Sequence, residues 1–351
     1  MWRKRSVPGV AFGASAYLLW GLFPAFFGLL AFAGAVEVLA ERIVWTLVVV
    51  LGVLAVTGRL RQLRGIDART WRLAAAASLA ISVNWGVYVF GVLSGNVVQC
   101  ALGYFVNPLV TVAFGVLIFR ERLAAAQWVA LGLGAVAVLV LTVDYGRPPW
   151  IALVLACSFA TYGLVKKVIR LDALRSVAAE GIVGAPIALA FLIVLAVRGE
   201  SSFGDGIGHT ALLIATGPVT LIPLLLFATA AQRVPLSTMG LLQYLTPALQ
   251  MAWGVAVMHE PMPPSRWAGF ALIWCALLLF STHALLRARR NRRTAEPASP
   301  SNAPSGDPEG LPAPVESASP LTPAEPASSA APRSSRKSVE REAGDIPARD
   351  Q

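Results

Sequence analysis

The chain has 351 residues, of which 56% are hydrophobic and only 14% charged, with a formal net charge of +10. Soluble domains carry about 25% charged residues, so this composition argues against a water-soluble globule and for the lipid bilayer as solvent. The basic excess does not point to nucleic acid, because Lys and Arg fall in short clusters between apolar runs and not on one soluble face.

The opening MWRKRS reads as a cytoplasmic segment, residues 1–7, ahead of a retained first span and not as a cleaved leader. A span needs about 20 apolar residues. In chain order the expected spans are 8–30, 36–57, 72–93, 101–119, 125–143, 149–165, 177–197, 210–231, 237–258 and 266–286. The connections are too short for an extramembrane catalytic domain. Residues 287–351 are first basic, then rich in Pro, Ser, Ala and Glu without a periodic apolar face, which predicts a disordered cytoplasmic tail.

Basic residues set the expected orientation. Arg3, Lys4 and Arg5 precede the first span. Arg59, Arg61, Arg64, Arg69 and Arg72 follow the second, Arg120 and Arg122 the fourth, Lys166, Lys167, Arg170 and Arg175 the sixth, Arg233 the eighth, and Arg287 to Arg293 the last. The alternate connections hold only Arg147, Arg198 and Arg266. Both termini are therefore expected in the cytoplasm of a multi-pass plasma-membrane protein.

Residues 102–123, LGYFVNPLVTVAFGVLIFRERL, return in altered form at 241–262 as LLQYLTPALQMAWGVAVMHEPM. The offset of 139 pairs Pro108 with Pro247, Gly115 with Gly254, Glu121 with Glu260 and Trp128 with Trp267. Upstream it aligns VLAERIV (38–44) with VAAEGIV (177–183), pairing Glu41 with Glu180 and Arg42 with Gly181. Self-similarity at one period marks duplicated architecture. Each copy holds five spans, an odd number, so the second must enter the membrane upside down. The expected fold is an all-α membrane protein of ten transmembrane helices in two inverted five-helix repeats, 8–143 and 149–286. Inverted repeats are a hallmark of secondary transporters.

The stretches YLLWGLFP (17–24), AERIVW (40–45), NWGVYVF (84–90), LGYFVNPL (102–109), FRERLAAAQWVA (119–130) and SFATYGLVKK (158–167) resemble the drug/metabolite transporter superfamily. Within it, they are similar to the EamA-type branch and its RarD group, named for a chloramphenicol-sensitive phenotype. The second half matches mainly through LLQYLTPALQ (241–250), Glu260 and Trp267, and the tail lies outside the likeness. The resemblance implies a permease that exports small metabolites or drugs. It does not fix the substrate.

Arg42 and Glu41 lie about six residues into their span, roughly 8–9 Å along the helix. A charge at that depth is costly. Arg42 either holds an anionic or polar substrate group in a watery cavity, or makes a structural ion pair or snorkels. Because Gly181 breaks its symmetry, its task belongs to one half. Glu41 and Glu180 could carry a coupling proton or hydrogen-bond neighbouring helices. Asn84 and Tyr88 share a face, and with Trp85, Trp20, Tyr17 and Tyr162 they suit an apolar solute with one polar handle. Asn84 alone reads also as a packing hydrogen bond, and each aromatic alone reads more readily as packing than as pocket. Tyr104 and Asn107 join them, with Gln243, Tyr244 and Thr246 in the second copy. Pro108, Pro247, Pro218 and Pro223 read as hinges or pathway-lining kinks, or as passive bends. Glu121 and Glu260 are expected to be interface anchors, stabilised by the backbone donors of the helix that follows each, and Lys166 and Lys167 topology determinants that the resemblance also keeps as candidates to bind cargo.

Cys100, Cys157, Cys275, His209, His259 and His283 lack metal or disulfide spacing, so no metal and no cofactor is expected. Gly9/Gly13 and Gly91/Gly95 suit internal packing or a homodimer. A secondary transporter in contact with lipid and a small-molecule substrate is the first reading. An intramembrane enzyme would need clustered His, Asp or Ser nucleophiles at membrane depth, and the sequence has no HExxH, no GxSxG and no paired aspartates. A non-transporting sensor is a third class, and uptake or lipid-linked substrate flipping remain open as modes of transport.

Overall fold

Apolar segments without water to bond their backbone must close their hydrogen bonds internally, and so form helices. The computed structural model describes residues 3–119, 123–234 and 236–295. Among them there are helices and connections and no strand. Glu121, with Arg120 and Arg122, and the tail from 296 onward lie outside the described residues.

The helices are α1 (Arg3–Gly21), α2 (Phe23–Gly28), α3 (Ala35–Val56), α4 (Ala68–Leu93), α5 (Val97–Phe119), α6 (Ala125–Tyr145), α7 (Trp150–Val168), α8 (Ala173–Val197), α9 (Ile207–Ala231), α10 (Leu236–Leu242), α11 (Leu245–Ala256) and α12 (Pro264–Ala295). Among the described residues, nine stretches are long and apolar enough to cross a membrane, α1 and α2 counting together as Gly9–Gly28. The expected span 237–258 is not among them, because it breaks into α10 and α11. Pro247 favours the break without dictating it. It has no N–H for the carbonyl of Gln243, and its ring crowds that carbonyl. A second difference lies at the end, where α12 runs through 287–295, residues expected in the tail. The run from Ala284 to Ala295 is rich in Ala, Leu and Arg and meets no proline before Pro297, so nothing stops the helix.

Between helices in lipid, close approach comes from small residues. α3 packs on α8 and α9, α4 on α7 and α8, α5 on α7 and α11, α1 on α9 and α11, and α6 on α12. At Gly217 of α9, a Cβ would stand 2.5 Å from the Trp45 carbonyl oxygen of α3, so only glycine allows this crossing. Gly103 of α5 does the same against Ala152 of α7. Gly9 and Gly13 face Val234, Met239 and Leu242 of the same chain, which fits the internal-packing reading of that pair. Gly95 instead sits at φ +69° in a turn.

One buried apolar cluster joins Leu102, Phe105 and Leu109 of α5 to Leu141 of α6 and Phe270 and Ile273 of α12. Another joins Phe23, Phe27 and Leu30 to Tyr88, Val89 and Leu155. Val56, Val143, Val197 and Ile207 stand exposed on outer faces, as lipid-facing residues do.

Candidate functional site

The second apolar cluster borders a charge. Arg42 sits seven residues into α3, about 10 Å from its start, and is only 2% exposed. Its guanidinium lies over the Trp85 ring at 3.9 Å from the centroid, with Phe27 at 5.3 Å and Phe23 at 5.5 Å. Aromatic faces attract such a cation without neutralising it. Nε donates to Thr220 Oγ1 of α9 at 2.8 Å. Nη1 is buried without a hydrogen-bond partner. Among the described residues Arg42 makes no ion pair, so the structural ion-pair alternative finds no partner here.

The local sequence explains why α9 can serve it. Pro218 and Pro223 bracket Thr220, and Gly217 brings the helix onto α3 one turn earlier. Each proline also frees a carbonyl four residues back.

A polar network lies beside this cation. Phe27 contacts both Arg42 and the Tyr88 ring, and Tyr88 packs against Tyr104 with ring centroids 5.8 Å apart. Gln250 of α11, 2% exposed, donates from Nε2 to Tyr88 Oη at 3.0 Å and to the Trp20 carbonyl at 3.2 Å. That carbonyl is free because Pro24, four residues on, has no N–H to give it. Gln250 Oε1 is buried without a partner. Asn84 donates to Leu155 O at 3.0 Å and Ser158 Oγ at 3.1 Å, and accepts from Tyr104 Oη at 3.3 Å. Its amide is therefore engaged with α7 and α5.

The structure thus brings Arg42, Trp20, Asn84, Tyr88 and Tyr104 together. Tyr162 belongs elsewhere, donating to Glu180 Oε2 at 3.2 Å. Glu180 also accepts from Lys166 at 2.7 Å and from Ser176 at 2.8 Å, and Lys166 donates to Ser176 as well. Lys166 is accordingly a buried-pair partner, beyond its expected topology role. Glu41 accepts from Trp45 Nε1 at 2.8 Å. Asn107 Oδ1 is buried without a partner. Gln243 and Tyr244 fall at the break between α10 and α11, where Tyr244 Oη lies 3.5 Å from Ser281 Oγ. Pro108 lies inside α5, and Pro247 in the first turn of α11. Glu260 is held by a helix start, but by that of α5 and not that of the following α12 on which the expectation rested: it accepts from Val97 N at 2.6 Å and Val98 N at 3.1 Å.

Four site residues, Gln250, Thr220, Phe23 and Phe27, were not singled out from the sequence. Gln250 carried a usable signal, an amide inside an apolar run, the same signal that marked Asn84. Thr220 carried none, since threonine is at home in such helices.

The comparisons with known proteins agree with this architecture. The sequence profile of the EamA-like transporter family matches residues 148–282. Protein RarD of Streptomyces exfoliatus is 53% identical over 296 residues, covering 83% of this chain and 94% of that protein. The chain belongs to the EamA-like transporter family. Within it, the chain is RarD-like. Protein RarD of Escherichia coli K12 is 35% identical over 294 residues, 83% of this chain and 99% of that protein. A protein of Pseudomonas aeruginosa called chloramphenicol-sensitive protein RarD is 27% identical over 295 residues, 81% of this chain and 97% of that protein. A solved crystal structure superposes with a TM-score of 0.52 at 17% identity, covering 77% of this chain and 96% of that one, a likeness of fold alone. As an EamA-like, RarD-like chain, this is a multi-pass membrane protein of the drug/metabolite transporter type.

Proposed function

We propose that this chain is a secondary transporter that carries a small anionic or zwitterionic metabolite or drug across the plasma membrane by alternating access, with export as its direction. The observation that carries this reading is Arg42, a buried cation with one N–H group unpartnered and, among the described residues, no carboxylate paired with it. A membrane protein keeps such a group where a ligand or a pathway uses it. The substrate's anionic group would meet Nη1, its donor would meet Gln250 Oε1, and its apolar body would rest on Trp20, Tyr88 and Tyr104.

The helix contacts support two related halves. Exchanging α1 with α7, α3 with α8, α4 with α9, α5 with α11 and α6 with α12 maps the main contacts onto one another. The pairs α3–α8, α5–α11 and α6–α12 map onto themselves. The pair α4–α7 maps onto α9–α1, α3–α9 onto α8–α4, and α5–α7 onto α11–α1. With α10 and α11 counted as one interrupted span, ten spans result, in two halves of five, and the halves are inverted. Rocking of one half against the other would then expose the site to each side in turn, with Pro108, Pro218, Pro223 and the break before Pro247 absorbing the motion. Proton coupling falls to Glu41, because Glu180 is already paired with Lys166. Both termini face the cytoplasm in this scheme.

The experiment is flux in sealed proteoliposomes. Compounds that thermally stabilise the purified protein are loaded and their exit followed. Saturable exit that Arg42→Gln abolishes, with the variant still folded, supports the proposal. Flux equal to protein-free vesicles for every stabilising compound would overturn it and favour a sensor.

A further inference from the structure

Away from Arg42, a cavity of about 240 Å3 is lined by Asn96 and Gln99 at the start of α5, Tyr145 and Arg147 at the end of α6, and Glu260 and Arg266 before and within α12. These connections are among those poor in Lys and Arg, so the topology places the cavity on the outer face.

Most of its polar groups satisfy each other. Arg266 pairs with Asp144 at 2.9 Å and lies over the Tyr145 ring. Glu260 is held by the Val97 and Val98 N–H groups. Three groups are left over. Arg147 is exposed and makes no ion pair among the described residues. Gln99 is only 4% exposed, and its Oε1 is buried with no partner, although its Nε2 reaches Asn96 Oδ1 at 3.4 Å. The Tyr145 hydroxyl is also buried without a partner. Native proteins leave few such atoms unpaired, and each asks for a reason.

We infer that this cavity is a second binding site, for a small anionic group, carboxylate or phosphodiester, that carries an adjacent hydroxyl or ammonium donor. The anionic group meets the Arg147 guanidinium, in a charge-assisted contact. The donor meets Gln99 Oε1, and the Tyr145 hydroxyl completes the shell as donor or acceptor. The site is independent of Arg42 and does not rest on the transport reading. The same chemistry, an anion with a nearby hydroxyl, occurs in a free hydroxy acid and in a phosphatidylglycerol headgroup.

The test is calorimetric titration of the full chain in phosphatidylcholine nanodiscs with lactate, with propionate as its hydroxyl-free match and chloride as the ionic control. Lactate should bind about fivefold more tightly than propionate, the ratio one hydrogen bond supplies, and chloride should give no saturable signal. Gln99→Leu should bring the two acids to equal affinity. Arg147→Gln, a change on an exposed side chain, should weaken both at least tenfold, while Gly132→Ala, whose new methyl meets nothing within 4 Å, leaves both unchanged. Repeating the titration with phosphatidylglycerol in the disc separates the sources. Retained lactate binding assigns a free acid, and its competitive loss in the wild type assigns the headgroup. Absence of lactate binding in phosphatidylcholine discs, or binding that ignores both Arg147→Gln and Gln99→Leu, would overturn the inference.

Discussion

Arg42 and Thr220 meet across 178 positions of sequence, the guanidinium Nε donating to the hydroxyl at 2.8 Å. Thr220→Val keeps the shape and removes the acceptor. A buried donor left unpaired costs about 1–3 kcal/mol. The expected outcome is a lower thermal midpoint for Thr220→Val in detergent and recovery in Thr220→Ser. An unchanged midpoint in the valine variant would mean that the hydroxyl does not hold Arg42.

Gly217 sets the distance between the helices that carry those two residues. A methyl group there meets the Trp45 carbonyl, carbon and Cβ, all within 2.9 Å. Overpacking of this kind costs about 1–3 kcal/mol. Gly217→Ala should lower stability by that amount and reduce flux. Gly132→Ala, with nothing within 4 Å of its new methyl, should do neither.

Lys166 and Glu180 form a largely buried pair at 2.7 Å. Removing one member of a buried pair costs about 3–5 kcal/mol, and removing both can be neutral. Lys166 is about a quarter exposed, at 26%, so Lys166→Met should fall at the low end of that range. Lys166→Met with Glu180→Gln should regain most of it, as unfolding titrations of the double-mutant cycle would show. The proton dependence of flux should survive in that double variant and vanish in Glu41→Gln.

Glu260 ties the segment after α11 to the start of α5. Burial raises its carboxyl above the ordinary value of 4.5, more than the Val98 and Val97 N–H groups and Arg266 lower it. The folded protein therefore holds the extra proton over a window that begins at 4.5 and runs upward. By linkage, stability falls as pH rises through that window, and the contribution is fully present below it. Glu260→Gln should flatten this part of the midpoint-against-pH curve. The same slope in both proteins would assign it to another group.

Much of the helical frame was legible because bilayer thickness leaves few other readings of such apolar runs. The break at Gln243 was harder. Pro247 was noticed as a hinge, yet the same residue type at Pro108 lies inside an unbroken α5, so proline alone does not say whether a helix stops. The continuation of α12 past 286 was hidden by its charge, since basic residues read as a tail although they favour helix. Arg42 stood out at the site because a mid-span cation has few uses. Its partners did not, because Thr220, Phe23 and Phe27 meet it only through the crossing of α3, α9 and the α1–α2 turn. Tyr162 and Tyr88 looked alike in sequence, and only the packing shows that one serves Glu180 and the other Gln250.

The central claim is that the Arg42 charge waits for an anion. The most direct measurement is the affinity of stabilising compounds paired with their neutral isosteres, such as a carboxylate and its primary amide, titrated into wild type and Arg42→Gln. Wild type should prefer each anion by tenfold or more, a difference of about 1.4 kcal/mol, and Arg42→Gln should lose that preference while keeping its fold. Equal affinity for both members of each pair in wild type, or a preference that survives in Arg42→Gln, would contradict the account.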